Sequence, residues 1–119
     1  MKYLSLLLLL IPFHGYGSSN SIPEEYWGTW DRHCKEGRAA TDSIVHIRKD
    51  VIYGYEEKKD ILSVVLPEEN KIEVEYIFIY DGVEYTGSYK WELRGESLVS
   101  VHPGTGEEWV IHKCGPYEP

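Results

Sequence analysis

Two cysteines and two histidines come closest to a chemically competent cluster: His33 adjoins Cys34, and His112 lies two residues before Cys114. Imidazole nitrogens and thiolates are the donors of tetrahedral zinc sites, but those sites use short, regular spacings that this arrangement does not match. A disulfide between Cys34 and Cys114 is therefore expected, as is usual for paired cysteines in an exported chain. It would close a loop of about 80 residues and stabilise by about 4 kcal/mol in the chain-entropy model. No nucleophile elbow, glycine-rich phosphate loop or two-histidine zinc helix is present. The carboxylate pairs Glu24-Glu25, Glu56-Glu57, Glu68-Glu69 and Glu107-Glu108 mostly fall at strand ends and turns, where charge is solvated. His46 and His102 have no nucleophile near them in the sequence. The chain is read as a non-enzyme, with no catalytic residue, no cofactor and no metal site assigned.

The elements that position these residues begin after a leader. Met1 and Lys2 form a short positive region, Leu4 to Ile11 is almost continuously apolar, and Pro12 precedes the small residues Gly15 and Gly17. That is the anatomy of a secretory signal peptide, assigned to residues 1–19, with cleavage expected after Gly17 or Ser19. The apolar run is too short for a membrane span, which takes about 20 residues. No cysteine near the cleavage region would carry a lipid anchor. A soluble periplasmic or secreted protein is expected, with a single β domain over residues 20–119.

Within that domain the clearest signal is a hairpin from Lys71 to Leu93. With Asp81-Gly82 as the two turn residues, Tyr80 faces Val83, Phe78 faces Tyr85, Tyr76 faces Gly87, Val74 faces Tyr89 and Ile72 faces Trp91. The opposite face pairs Glu75 with Ser88, Glu73 with Lys90 and Lys71 with Glu92, so both faces agree on one register. Further strands are expected over Tyr26 to Arg32, Ser43 to Arg48, Val51 to Glu56, Ile61 to Leu66, Leu98 to His102 and Glu107 to Cys114. Glu57 to Asp60 reads as a charged connection, and Cys34 to Asp42 as a loop or short helical turn. No segment has a helical period. About eight strands joined by short connections predict an all-β fold, a small up-and-down antiparallel barrel, because closure removes exposed edges. A two-sheet β-sandwich is the alternative.

Gly28-Thr29-Trp30 at the start of this meander resembles the glycine-x-tryptophan opening of lipocalin-type (calycin) barrels. It is also similar to the small secreted barrels with which bacteria inhibit metalloproteases, whose first strand is closely followed by a cysteine, as Trp30 is here by Cys34. Where lipocalins carry an arginine over that tryptophan, this chain has Lys113, and the inhibitors' disulfide closes a shorter loop. The resemblance implies a barrel that binds either a small ligand within or a protein without. It also places Ser18 to Pro23 where the inhibitors have a free arm that enters the protease cleft.

The balance of charge narrows the partners. Twelve Lys and Arg stand against 20 Asp and Glu, a net charge of −8, and one more negative once Lys2 leaves with the leader. Nucleic acid and anionic membranes demand the opposite sign, so a protein partner, basic in character, is expected. The inward side chains Trp30, Tyr53, Tyr55, Tyr76, Phe78, Tyr80, Tyr85, Tyr89, Trp91 and Trp109 predict a filled interior. Recognition is then expected on the exterior, where Ile77, Ile79 and Glu84 lie on the outer face. Ile61 and Val65 join them if Leu62, Val64 and Leu66 point inward. The leading expectation is an exported binding protein acting through this surface, an inhibitor or immunity-type protein. The alternatives are a lipocalin-like carrier and a structural envelope protein, homodimeric through Ile77 and Ile79.

Overall fold

Asp81 and Gly82 hold φ angles of 52° and 77°, and positive values at both positions define a type I′ turn, the one whose twist suits a two-residue hairpin. The computed structural model describes residues 18–102 and 104–115. Eleven strands occur among them: β1 (Ser18–Ser19), β2 (Gly28–Asp31), β3 (Cys34–Lys35), β4 (Arg38–Ala39), β5 (Val45–Ile47), β6 (Val51–Gly54), β7 (Glu57–Val65), β8 (Lys71–Tyr80), β9 (Val83–Arg94), β10 (Ser97–Val101) and β11 (Glu108–Gly115). The ladder of β8 and β9 follows the expected register at every rung, from Lys71 opposite Glu92 to Tyr80 opposite Val83.

The sheet runs β2, β5, β6, β7, β8, β9, β10 and β11, each antiparallel to the next, and β11 returns to pair with β2. The fold is thus a closed eight-stranded up-and-down barrel, and the sandwich alternative is excluded. Glu57 to Asp60, expected as a connection, is the first half of β7. Its alternating charges had the look of solvated loop, but Glu57, Lys58, Lys59 and Asp60 all pair with β6.

The closed end is filled by aliphatic side chains around tryptophan. Trp30, Ile47, Ile52, Val64, Ile72, Val74, Trp91 and Leu98 are buried in one cluster. Trp30 has no exposed surface, and its indole N–H donates to the Tyr26 carbonyl at 3.0 Å. The Lys113 ammonium, in register with Trp30, lies 5.7 Å from the centre of its ring, a cation–π distance. Gly28, at φ 139°, leaves room for that lysine: a Cβ there would sit 2.9 Å from its Cε.

The leader reading largely concerns residues 1–17, which lie outside the described residues. Its last two positions, Ser18 and Ser19, form β1 and pair with Val65 and Val64 on the part of β7 that β6 leaves free. The chain then crosses the closed end. The Ile22 amide donates to the Lys49 carbonyl at 2.7 Å, Ile22 and Tyr26 are buried in the core, and Glu24–Tyr26 makes one 3-10 turn. The free arm implied for Ser18 to Pro23 is therefore absent. Ile22 is 1% exposed, and an apolar side chain so placed gains more by plugging the barrel than by projecting into water.

Candidate functional site

The disulfide joins Cys34 to Cys114, with Cα atoms 5.3 Å apart. Both sulfurs are thus bonded to each other and cannot serve as thiolates. The bond secures the β3–β4 hairpin against the outer wall of β2 and β11. Beneath that hairpin the Asp31 carboxylate is fully buried. It accepts from the backbone N–H of Arg32, Ala40 and Thr41 at 2.6, 2.9 and 2.6 Å, and from the Thr41 hydroxyl. Burial alone would raise its pKa, but these hydrogen bonds together hold it below the ordinary carboxylate value. Asp31 folds the loop, and its lone pairs are fully engaged. The long loop therefore covers β2 and β11 and leaves the opposite wall, β7 and β8, open.

On that wall the structure separates the residues expected to form a patch. A bulge between Ile61 and Ser63 shifts the register of β7 against β8 and reverses which side chains face out. Ile61 packs against the core, and Leu62 is 50% exposed instead. The inclusion of Ile61 in the outer patch is corrected accordingly, as is the inward placement of Leu62. Val65 is exposed, but it lies beside β1 at the far end of the strand. Ile77, Ile79 and Glu84 do come together, since Ile79 faces Glu84 across the hairpin and Ile77 is two residues away on the same side.

The hairpin projects past the barrel. β7 pairs with β8 only as far as Asp60 opposite Ile77, and β10 pairs with β9 only at Glu92 to Arg94. The tip is therefore exposed on both faces: Ile79, expected outside, is 71% exposed, and Tyr80 and Tyr85, expected inside, are exposed too, Tyr80 at 69%, together with Val83. Tyr55 and Trp109 are also exposed, so the expected all-aromatic filling is corrected. Tyr80, Val83 and Tyr85 share the face of Phe78, but at the tip no opposing strand lies near enough to enclose them. Between the tip and the β6–β7 turn opens a cleft of about 580 Å³ lined by Tyr55, Ile77, Phe78, Ile79 and Tyr80, with Glu56, Glu57, Asp60 and Glu84 outnumbering Lys58.

Behind the cleft, inside the mouth, Lys59 is 5% exposed. Its ammonium pairs with Glu57 and lies 5.4, 5.7 and 5.9 Å from the rings of Tyr76, Phe78 and Tyr89. Burial, and next the Glu57 charge, push the Tyr89 hydroxyl up to about 12. Lysine thus occupies the aromatic cage that another cation would need. A smaller hollow of about 240 Å³ remains beside it, lined by Arg32, Ser43, Tyr89, Trp91, Ser100 and Trp109 among others. The Arg32 guanidinium lies 5.6 Å from the Trp109 ring. The alternation of β7, followed back through the bulge from Val64 to Ile61 and Lys59, was the signal that could have found the lysine.

A hollow of about 700 Å³ at the closed end is larger still, lined by Trp27, Gly28, Ile47, Arg48, Glu96, Lys113 and Gly115. It carries charges of both signs, and its lysine already covers Trp30. The acid-rimmed cleft at the mouth combines apolar exposure with one dominant charge, and it is the better candidate. No group of three or more potential metal ligands occurs among the described residues. No helix among them is long and apolar enough to cross a membrane.

The chain matches no family model, no curated protein and no solved structure. Fold and site define its class by themselves: a closed eight-stranded barrel, tied by one disulfide, with a projecting apolar hairpin.

Proposed function

We propose that this is an exported binding protein that recognises a basic protein through the outer cleft of the β8–β9 tip, in the manner of an inhibitor or immunity-type protein. The observation that carries the reading is the exposure of Ile79 and Tyr80 on a cleft whose charged rim is mainly acidic. Large exposed apolar side chains framed by polar ones mark interaction surfaces, and the acidic rim favours partners of opposite charge and speeds their approach. The hairpin is held by a continuous ten-rung ladder, so little order has to be gained on association. Export is supported by the disulfide and by the signal-like pattern of residues 1–19. The likeness to secreted inhibitor barrels, resting on Gly28, Trp30 and Cys34, supports the general role but not the arm mechanism, since Ile22 is buried.

The test compares partners captured from envelope and culture fluid by the immobilised wild type and by an Ile79→Asp variant, with Leu62→Asp as a control at an exposed apolar residue outside the cleft. A basic protein retained by the wild type and the control, and lost with Ile79→Asp, is the expected result. Equal retention by all three would place recognition elsewhere.

One observation favours a second reading, a lipocalin-like carrier: the hollow of about 240 Å³ with a guanidinium and two indoles in its wall. That volume lies below the usual range for ligand sites of about 300–1,000 Å³, so it suits only a small anion with an apolar body. Native mass spectrometry of protein purified without refolding distinguishes the two, since a carrier retains added mass that Arg32→Ala loses.

A further inference from the structure

The hollow of about 700 Å³ at the closed end serves neither reading above, and its wall holds opposite charges that do not meet. Four segments distant in the chain converge on it. They are Trp27 and Gly28 where the chain enters β2, Ile47 and Arg48 at the end of β5, Glu96 between β9 and β10, and Lys113 and Gly115 on β11. β2 stands between β5 and β11 in the sheet, so closure of the barrel is what gathers them. The volume falls within the range of about 300–1,000 Å³ usual for small-molecule sites.

Glu96 and Lys113 are tied through the backbone, since the Lys113 N–H donates to the Glu96 carbonyl at 2.8 Å. Their side chains form no ion pair with each other, and among the described residues no other charged side chain pairs with either. Arg94, two residues before Glu96, is by contrast taken up by Glu92 and Glu108. The Lys113 ammonium is held instead at the Trp30 ring, 5.7 Å from its centre, and the bare Cα of Gly28 gives its stem the space. The apolar part of the wall is equally fixed. The Trp27 indole N–H donates to the Ile22 carbonyl at 2.7 Å, and Ile47 belongs to the core.

We propose that this hollow binds a small zwitterion with an apolar body, a free amino acid or a short peptide. Its carboxylate would face Lys113 and Arg48, its ammonium Glu96, and its apolar part Trp27 and Ile47. A simple anion would be opposed by Glu96 and a simple cation by Lys113, whereas one molecule carrying both charges satisfies both side chains at once. Two cations to one carboxylate also make this wall a local exception in a chain of net charge −8, which favours a ligand with a carboxylate. The proposal goes beyond the partner reading and the carrier reading and is independent of both. The hollow shares no residue with the cleft or with the smaller hollow in the mouth.

The experiment is calorimetric titration of the purified protein with leucine and with the dipeptide alanyl-leucine. Isocaproate, which is leucine without its ammonium, and isoamylamine, which is leucine without its carboxylate, are the one-charge probes. Leucine or alanyl-leucine should bind, and the tighter of the two identifies the source as free amino acid or peptide. Each one-charge probe should bind at least roughly tenfold more weakly, the effect of losing a hydrogen bond to a charged group. Glu96→Gln, at an exposed turn position, should weaken the zwitterion by a similar factor without weakening isocaproate. Lys113→Met should weaken the zwitterion and isocaproate without weakening isoamylamine. A merely structural role for either side chain would instead weaken every probe alike, and that result would overturn the proposal. So would the absence of saturable binding up to millimolar probe, or one-charge probes that bind as tightly as the zwitterions. Ile79→Asp and Arg32→Ala should bind the zwitterion as the wild type does, which separates this result from those for the cleft and the mouth.

Discussion

Asp31 and His46 are the titratable side chains on which the outer wall under the β3–β4 hairpin depends. Burial lowers the His46 pKa from its ordinary 6.5, and its Nδ1 lies 2.9 Å from the Thr29 hydroxyl, with Arg38 lining the same hollow. Below pH 6.5 the unfolded chain takes up a proton that the folded ring resists. Stability is thus expected to fall as the pH drops from 6.5 through the folded value. His46→Asn should flatten that part of a denaturation-against-pH curve. Asp31 behaves likewise at lower pH: its depressed pKa contributes stability above the ordinary 3.8, lost as the pH falls through the folded value. Asp31→Ala leaves three backbone donors without their acceptor and should cost at least about 2 kcal/mol in urea denaturation. Lys59 differs, being a buried charge whose removal also removes its desolvation. Lys59→Met keeps the stem among Tyr76, Phe78 and Tyr89 and leaves behind a Glu57 carboxylate that is half exposed to water rather than a buried lone charge, so it should leave the melting temperature unchanged or raise it.

At the scale of elements, the hairpin and the disulfide do different work. Tyr76 and Tyr89 lie 4.9 Å apart, and Tyr89 stacks on Trp91 at 4.4 Å, so the inner face of β8 and β9 is a run of ring contacts. Gly87 makes space for the Tyr76 ring. Gly87→Val should therefore destabilise by about 1–3 kcal/mol through overpacking, and Tyr76→Leu in the same chain should recover part of the loss, a coupling that a double-mutant cycle measures. The disulfide spans a separation of 80 residues. Its replacement by two serines should cost about 4 kcal/mol by loop entropy. The β-sheet signal in circular dichroism should survive, since the barrel's ladder does not run through β3 or β4.

For the whole molecule, the two ends of the barrel have opposite characters. The closed end is plugged by Ile22, Tyr26 and Trp30. The other end is left open by two strands that outrun their neighbours. Ile22→Ala should lower stability by about 2–5 kcal/mol and leave partner capture by the cleft unaltered. Ile79→Asp should do the reverse, because Ile79 is 71% exposed and has little burial to lose. Under the proposed export, cleavage after Gly17 would retain β1, whereas cleavage after Ser19 would remove both residues that pair with β7.

What the amino-acid sequence determined alone was local or pairwise: the register of β8 against β9, the I′ turn at Asp81-Gly82, the Cys34–Cys114 bond and the number of barrel strands. Alternation of side chains and turn chemistry act over a few residues, so they are legible without knowing the neighbours. What only the tertiary structure decided depended on which strand lies alongside. The bulge at Leu62 turned Ile61 inward. Barrel closure carried Lys59 into the mouth. The shortness of β10 left Tyr80 and Tyr85 in water. Each of these follows from lateral hydrogen bonding between segments far apart in the chain, and one strand's own pattern carries no record of where its neighbour stops.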